Sequence, residues 1–418
     1  MTAITATKST ADFDPDAVFA QIVNPASDGH RYPLYKMLRD AAPVFQTRFP
    51  GLDGWYVVSN YEYARELTFS ANTQNNAKVL ELQNLSEDGT YSVMNRLWME
   101  YRDDVRDHDR IRRVLFPHFA PRNIEHLRPK IRQLVLRLLD DIADPTQIEF
   151  IGEFAFLLPS LVIASLLGID VGDSERFQRT MEAYLKVTAT VRALTDAERA
   201  ERDAMAEEFL GLFREYLTQR RRQPEDDLIS KLAQEQSKGT ISDEELLAQF
   251  VFVLIAGHST TADMMGNIIV ALSRNPEQLG KILAQPERIP AAINEFIRFD
   301  SSLETATRVV NEPVTLGNTI LPRGARALIM LHAAHHDPVV FENPETLDID
   351  RKFAKPAFPF GGGRYVCLGM HLARMEIEEA LREFLRRFPH FTIDELVWQG
   401  GLVSHGPKRL VITTSGFA

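Results

Sequence analysis

Phe358-Pro359-Phe360-Gly361-Gly362-Gly363-Arg364-Tyr365-Val366-Cys367-Leu368-Gly369 sets the only cysteine of a 418-residue chain in a glycine-rich segment. Three consecutive glycines do not hold a helix, so this is a loop. Leu368, Leu372, Met375, Leu381, Phe384, Leu385 and Phe388 then recur at helical spacing until Pro389 stops the pattern, which predicts a helix from about Leu368 to Arg387. Cys367 thus falls at a helix N-terminus, where the dipole and free N–H groups favour thiolate over thiol. A metal-bound sulfur needs that form. Gly361, Gly362 and Gly363 permit positive backbone dihedrals for a tight turn about the sulfur, and Gly369 leaves space for a flat group. Phe360 is placed to pack as a lid.

The phenylalanine, glycines, cysteine and final glycine resemble the haem-binding loop of the cytochromes P450, and their spacing is highly specific. The resemblance runs from about residue 15 to the C-terminus. It implies a mainly α fold with small β-sheets, haem b (iron protoporphyrin IX) between a long distal helix and the cysteine loop, and Cys367 as the iron ligand. It also implies that Phe360, Gly361, Tyr365 and Gly369 lie against the cofactor. Residues 1–14 read as a flexible arm and 15–418 as a single haem domain. The first dozen residues lack both a cationic start and an apolar run, which argues against a secretory signal.

Further pairs match in order. Glu295 and Arg298, three apart on a helix, share a face and can pair, and they resemble the family's buried structural Glu-x-x-Arg motif. His108 and Arg112 emerge from one helical face and resemble the pair that holds the haem propionates, and Arg308 resembles a further propionate ligand on a strand. Cationic groups are needed there because propionates carry negative charge into a partly buried site. One departure stands two residues before the cysteine, where the family usually has His or Arg and this chain has Tyr365. Arg364 either substitutes for that cation or points outward.

Apolar periodicity dominates from about 104 to 299, with long helical segments near 122–142, 150–167, 197–222 and 242–274. The last has Ser242 followed three residues later by Glu245, a capping box. It runs about 30 residues, or roughly 45–50 Å, and stops before Pro276. β-rich pieces at Gly54–Ser59, Thr307–Thr315, Ala327–Met330 and Leu410–Thr414 suggest early strands pairing with late ones.

Within the long helix, Ala256-Gly257-His258-Ser259-Thr260-Thr261 interrupts a greasy face and resembles the family's oxygen-activating motif. Ala256 and Gly257 are then expected against the haem, with Thr260 hydrogen-bonding the dioxygen. Gly257 weakens the helix by roughly 1 kcal/mol relative to alanine, and Thr260 can bond back to a carbonyl one turn earlier, so a local opening is expected. Ser259 stands where the family has an acid. A serine relays protons but does not ionise near neutral pH, so His258, Asp263, Glu304 or a polar group on the substrate is the expected proton source.

Hydrophobic residues make up 44% and charged residues 25%, ordinary for a folded enzyme with a large core. A net charge of −11 argues against nucleic-acid binding, which needs a dominant basic surface. One cysteine excludes an internal disulfide and fits a reducing cytoplasm. The most apolar stretch, Leu246–Gly257, is short of the roughly 20 residues a bilayer span needs, so no membrane association is expected.

The resemblance implies a haem-thiolate monooxygenase that activates dioxygen and inserts one oxygen atom into a small, largely hydrophobic organic substrate. Only about 50 residues follow Cys367, so electrons are expected from a separate ferredoxin and ferredoxin reductase. Arg106, Arg110 and Arg113 offer a basic docking patch. The pocket is expected from 73–94, including Asn75 and Asn76, from 181–193, Val253, Ala256 and 302–305. Ser259 keeps an alternative open: peroxide-driven oxidation, oxidative coupling or desaturation on the same haem thiolate. A non-enzymatic haem-binding protein is a further reading.

Overall fold

The computed structural model describes residues 13–23, 31–75, 89–169, 195–399 and 402–415. The expected arm up to residue 12, Asn76 and the expected pocket segment 181–193 lie outside them.

Seven helices position the site: α1 (Thr90–Leu97), α2 (Val105–Leu115), α3 (Leu157–Leu167), α4 (Asp196–Arg222), α5 (Asp243–Arg274), α6 (Ile289–Phe299) and α7 (Met370–Arg387). Helix α5 starts as its sequence dictates. Ser242 Oγ accepts from the Glu245 N–H at 3.1 Å, and Glu245 accepts from the Ser242 N–H at 3.0 Å. Over 32 residues the helix spans about 48 Å, and Pro276 lies just beyond its C-cap, Asn275. By length and composition it is long and apolar enough to cross a membrane, which corrects the shorter apolar stretch read from the sequence, but 67% of its apolar window is buried in the protein. Met265, Ile268, Ile269 and Leu272 pack with Leu381 and Phe384 of α7 and with Leu158 and Val162 of α3 in one continuous core. Each such side chain contributes about 1.5–3 kcal/mol on burial.

Two expected helices are broken. The 122–142 segment divides into Pro121–Ile124, a 3-10 turn and Arg128–Asp140, because Pro129 is tolerated only in a helix's first turn. The 150–167 segment starts as a π-helical turn, Ile151–Ala155, in which the Phe156 N–H reaches back to Ile151 O, and then becomes α3.

Among the described residues there are ten short strands: β1 (Val44–Gln46), β2 (Tyr56–Val58), β3 (Thr73–Gln74), β4 (Gln147–Glu149), β5 (Thr305–Val310), β6 (Val314–Leu316), β7 (Thr319–Leu321), β8 (Arg326–Met330), β9 (Phe391–Trp398) and β10 (Pro407–Thr414). Five form a sheet in the order β1-β2-β8-β5-β3, three a sheet β4-β10-β9, and β6-β7 a hairpin. The early β2 pairs in parallel with the late β8, Val57 opposite Leu328, so the ends of the chain close on each other as expected.

Candidate haem-thiolate site

Two positive dihedrals, Gly361 at 69° and Gly363 at 58°, fold the cysteine loop. A Cβ at Gly362 would lie 2.2 Å from the Phe69 ring, so that position also excludes any side chain. The Cys367 N–H donates to Phe360 O at 2.9 Å, and the Gly369 and Met370 amides point at the sulfur. Helix α7 starts at Met370, two residues later than expected, so the sulfur sits just outside the first turn. The Cys367 side chain is exposed, yet it lies deep within the surrounding protein. The latter governs its protonation: burial raises the thiol to about 11 against the lowering effect of the two amides. The two amides favour the thiolate as expected, and desolvation outweighs them. A bound cation would supply the missing stabilisation of the anion. A Cβ at Gly369 meets no atom within 4 Å, which fits a flat group at that position.

Beside the sulfur, four buried polar atoms have no partner: His108 Nε2, Arg112 Nη1, Arg308 Nε and Tyr365 Oη. The His108 and Tyr365 rings are 4.6 Å apart, and the Arg308 guanidinium lies 5.3 Å from the Tyr365 ring centre. Arg112 donates to Val366 O at 2.8 Å, next to the cysteine. Burial lowers the pKa of His108 and Arg308 and raises Tyr365 to about 12. Orphaned donors of this kind fit carboxylates brought by a cofactor. Tyr365 faces inward, whereas Arg364 pairs with Asp109 at the surface, so the phenol stands in the family's cationic position.

The sequence reading missed Glu100. Its carboxylate accepts from Asn75 at 3.3 Å among these cations, and burial raises its pKa. Asn75 in turn accepts from Arg308 at 3.1 Å. No helical spacing links residues 75, 100 and 308, so only the folded chain brings them together.

Glu295 and Arg298 are 1% and 0% exposed, and the guanidinium donates to both carboxylate oxygens, at 2.7 and 2.8 Å. Arg351, also missed, adds contacts of 2.9 and 3.0 Å to the same carboxylate. Arg298 further donates to His335 O and Pro344 O, tying α6 to the segments that lead into the cysteine loop.

On α5, Ala256 is exposed on the cleft side, and Thr260 Oγ donates to Ala256 O at 2.8 Å, the back-bond expected. The helix nevertheless continues unbroken through it. At Gly257 a Cβ would meet Ile163 Cδ1 at 2.7 Å, so the glycine lets α3 approach closely. His258 is engaged elsewhere: its Nε2 donates to Phe156 O at 2.7 Å, its ring packs edge-on against Phe156 at 4.2 Å, and burial lowers its pKa to about 4. Glu304 is also excluded as a proton source, because it pairs with Arg31 and accepts from Tyr35 Oη at 2.9 Å. Asp263 remains. At 3.6 residues per turn, Ala256, Thr260 and Asp263 fall within about 60° on one face. Asp263 Oδ2 is buried without a partner, and burial raises the carboxyl to about 7 despite a bond from Gln399 and the charge of His405.

The expected basic patch is largely cancelled. Arg106 pairs with Asp104 at 2.7 Å, and Arg110 pairs with Asp107 at 2.9 Å and Glu245 at 2.7 Å. Of the three arginines, Arg113 alone has no ion pair among the described residues.

A helical fold with a cysteine loop facing a long threonine-bearing helix, and with orphaned cations beside the sulfur, defines a haem-thiolate protein. The cytochrome P450 family model matches residues 47–397, and the chain belongs to that family. It is 31% identical over 374 residues to a biotin biosynthesis cytochrome P450 of Bacillus subtilis, covering 88% of this chain and 91% of the relative. It is 30% identical over 398 residues to the 6-deoxyerythronolide B hydroxylase of Saccharopolyspora erythraea, covering 92% and 96%. A solved myxobacterial cytochrome P450 in complex with myristic acid aligns at a TM-score of 0.84 with 28% identity, covering 95% of this chain and 99% of that one. The protein is thus an oxidoreductase that binds haem b.

Proposed function

We propose that this protein is a monooxygenase that uses dioxygen and electrons from a separate cytoplasmic ferredoxin and its reductase to insert one oxygen atom into a small, largely hydrophobic organic molecule. The observation that carries the reading is the pairing of an accessible lone cysteine with Thr260 and Asp263 on the facing helix. Cys367 would ligate the iron, and His108, Arg112, Arg308 and Tyr365 would hold the propionates. The haem supplies the oxidising chemistry when bound. The rest of the work is done by this chain's side chains.

Thr260 Oγ gives its hydrogen to Ala256 O, which leaves its lone pairs free to accept a proton and turn it toward the cleft. Ser259 relays but does not supply. Asp263 does supply: a carboxyl that titrates near pH 7 is protonated often enough to donate and weak enough to recover its proton from water. The missing acid has thus moved one turn along the same face. One relative is named as a hydroxylase of 6-deoxyerythronolide B and another is solved in complex with myristic acid, so the relatives do not converge on one substrate for this chain.

The test has two parts. Cys367→Ala should abolish the thiolate-type ferrous carbonyl spectrum. Turnover of a library hit under labelled dioxygen should place one labelled atom in the product, and product without label would instead support the peroxide-driven or coupling chemistry. Thr260→Ala should divert reducing equivalents to hydrogen peroxide.

A further inference from the structure

Helix α1 lacks a side-chain cap of its own, because Gly89 occupies the N-cap position. The cap comes from α4: Asp203 accepts from the Tyr91 N–H at 2.8 Å, and Glu207 accepts from Thr90 Oγ at 2.8 Å. A Cβ at Gly89 would lie 2.3 Å from the Asp203 carboxylate, so the two helices are closely docked at this point.

The residue before Asp203 is Arg202. It is 2% exposed, its guanidinium stacks over the Tyr91 ring at 4.4 Å, and its Nε and Nη2 are buried without partners among the described residues. A buried cation without a carboxylate costs several kcal/mol, and a cation–π contact offsets only about 2 of them. Asp203, one of the two carboxylates adjacent to it in sequence, is engaged by the α1 backbone.

Tyr91 and Asn95 lie one turn apart on α1, and Trp98 follows them as its C-cap. Asn95 is fully buried with both amide atoms unpartnered, and Trp98 Nε1 and the neighbouring Ser92 Oγ are likewise buried and unpartnered. The C-terminal end of α1 reaches the cleft. The Trp98 ring lies 5.2 Å from Phe252, which is one turn of α5 before the exposed Ala256 and two turns before Thr260.

The unpartnered groups are mostly donors. Arg202 and Trp98 only donate, Ser92 and the Asn95 amide each bring a donor, and the Asn95 carbonyl is the one obligate acceptor. We propose that Arg202, with Asn95 and Trp98, forms a site between α1 and α4 that binds a carboxylate or similar anionic group of the substrate. The inference rests on the reading of this cleft as the oxidation site. Eight residues of α5, about 12 Å, separate Phe252 from Thr260, so the carbon oxidised lies remote from the anion.

The experiment measures binding to the ligand-free holoenzyme by calorimetry, with dodecanoate and its uncharged methyl ester as matched probes. The acid should bind at least tenfold more tightly than the ester. Arg202→Gln should bring that ratio near one through loss of acid affinity with the ester unchanged, and Asn95→Ala should weaken the acid severalfold. Should Arg202→Gln not yield a normal ferrous carbonyl spectrum, Asn95→Ala and Arg202→Lys decide, the latter retaining most of the preference. Equal affinities in the wild type, no binding of either probe, or an unchanged preference in the folded variants overturns the proposal. A normal carbonyl spectrum in any of these cases leaves the haem-thiolate reading standing, so the two failures are distinguishable.

Discussion

Asp263→Asn should make the protein more stable and a poorer enzyme. Burial pushes the wild-type carboxyl from its ordinary value of 3.8 up to about 7 when folded. A raised pKa means that the folded form is favoured while the group is protonated. That contribution is complete below about pH 4, declines as pH rises, and is gone above about pH 7. A difference of about 3 units at 1.36 kcal/mol each is on the order of 4 kcal/mol. Asparagine keeps the shape and never ionises, at the cost of about 1 kcal/mol for an altered hydrogen bond. Roughly two of the three units fall between pH 5 and pH 8, so the stability gap in favour of the variant should widen by about 3 kcal/mol across that range. For a chain of this length that corresponds to a difference of about 3 °C in Tm. His405, ion-paired with Asp300, attracts ionised Asp263 in the wild type only, and the folded value of about 7 already includes that attraction. The assay is thermal unfolding of the two holoenzymes at both pH values, alongside product yield per reducing equivalent. A Tm gap that does not change with pH would show that the carboxyl is not a buried titrating group, and full coupling in the variant would remove it from the proton path.

Glu295→Gln should remove most of the attraction that holds two buried guanidinium groups, costing about 3–5 kcal/mol and lowering haem retention, as read by denaturant midpoint and haem content. Tyr365→Phe should weaken haem retention because the phenol faces the propionate site, whereas Arg364→Ala should lose less than about 1 kcal/mol from its surface pair with Asp109. Competitive haem transfer to an apoprotein acceptor separates the two. Gly257→Ala should leave the carbonyl spectrum normal, because the new methyl meets the end of Ile163 rather than the haem, and a disturbed spectrum would return Gly257 to the cofactor face.

Much of the fold was legible because its signals are local. Ser242 and Glu245 cap α5 through contacts three residues apart, and the α7 pattern stops at Pro389 as its chemistry requires. Misplacements followed from equally local causes. Pro129 and a π-turn divided helices whose apolar spacing read as continuous. The Ala256–Thr261 motif was the hardest case, since a motif orders residues along the chain without saying which helical face each occupies. Gly257 and His258 face α3 and Phe156, and Asp263, outside the motif, lies about one turn beyond Thr260, buried against Gly406.

The amino-acid sequence by itself determined the class of chemistry. A lone cysteine among glycines before an amphipathic helix, with Glu295, Arg298 and Thr260 in order, specifies a haem-thiolate loop because each constraint acts over a few residues. The tertiary structure decided charge and protonation. Burial lifts Cys367 and Asp263 above their ordinary values, ion pairs cancel the arginines at 106 and 110, and residues 200 positions apart, His108 and Arg308, come to share one site. Desolvation and Coulomb energy depend on every neighbour within several ångströms, and those neighbours are known only once the chain has closed upon itself.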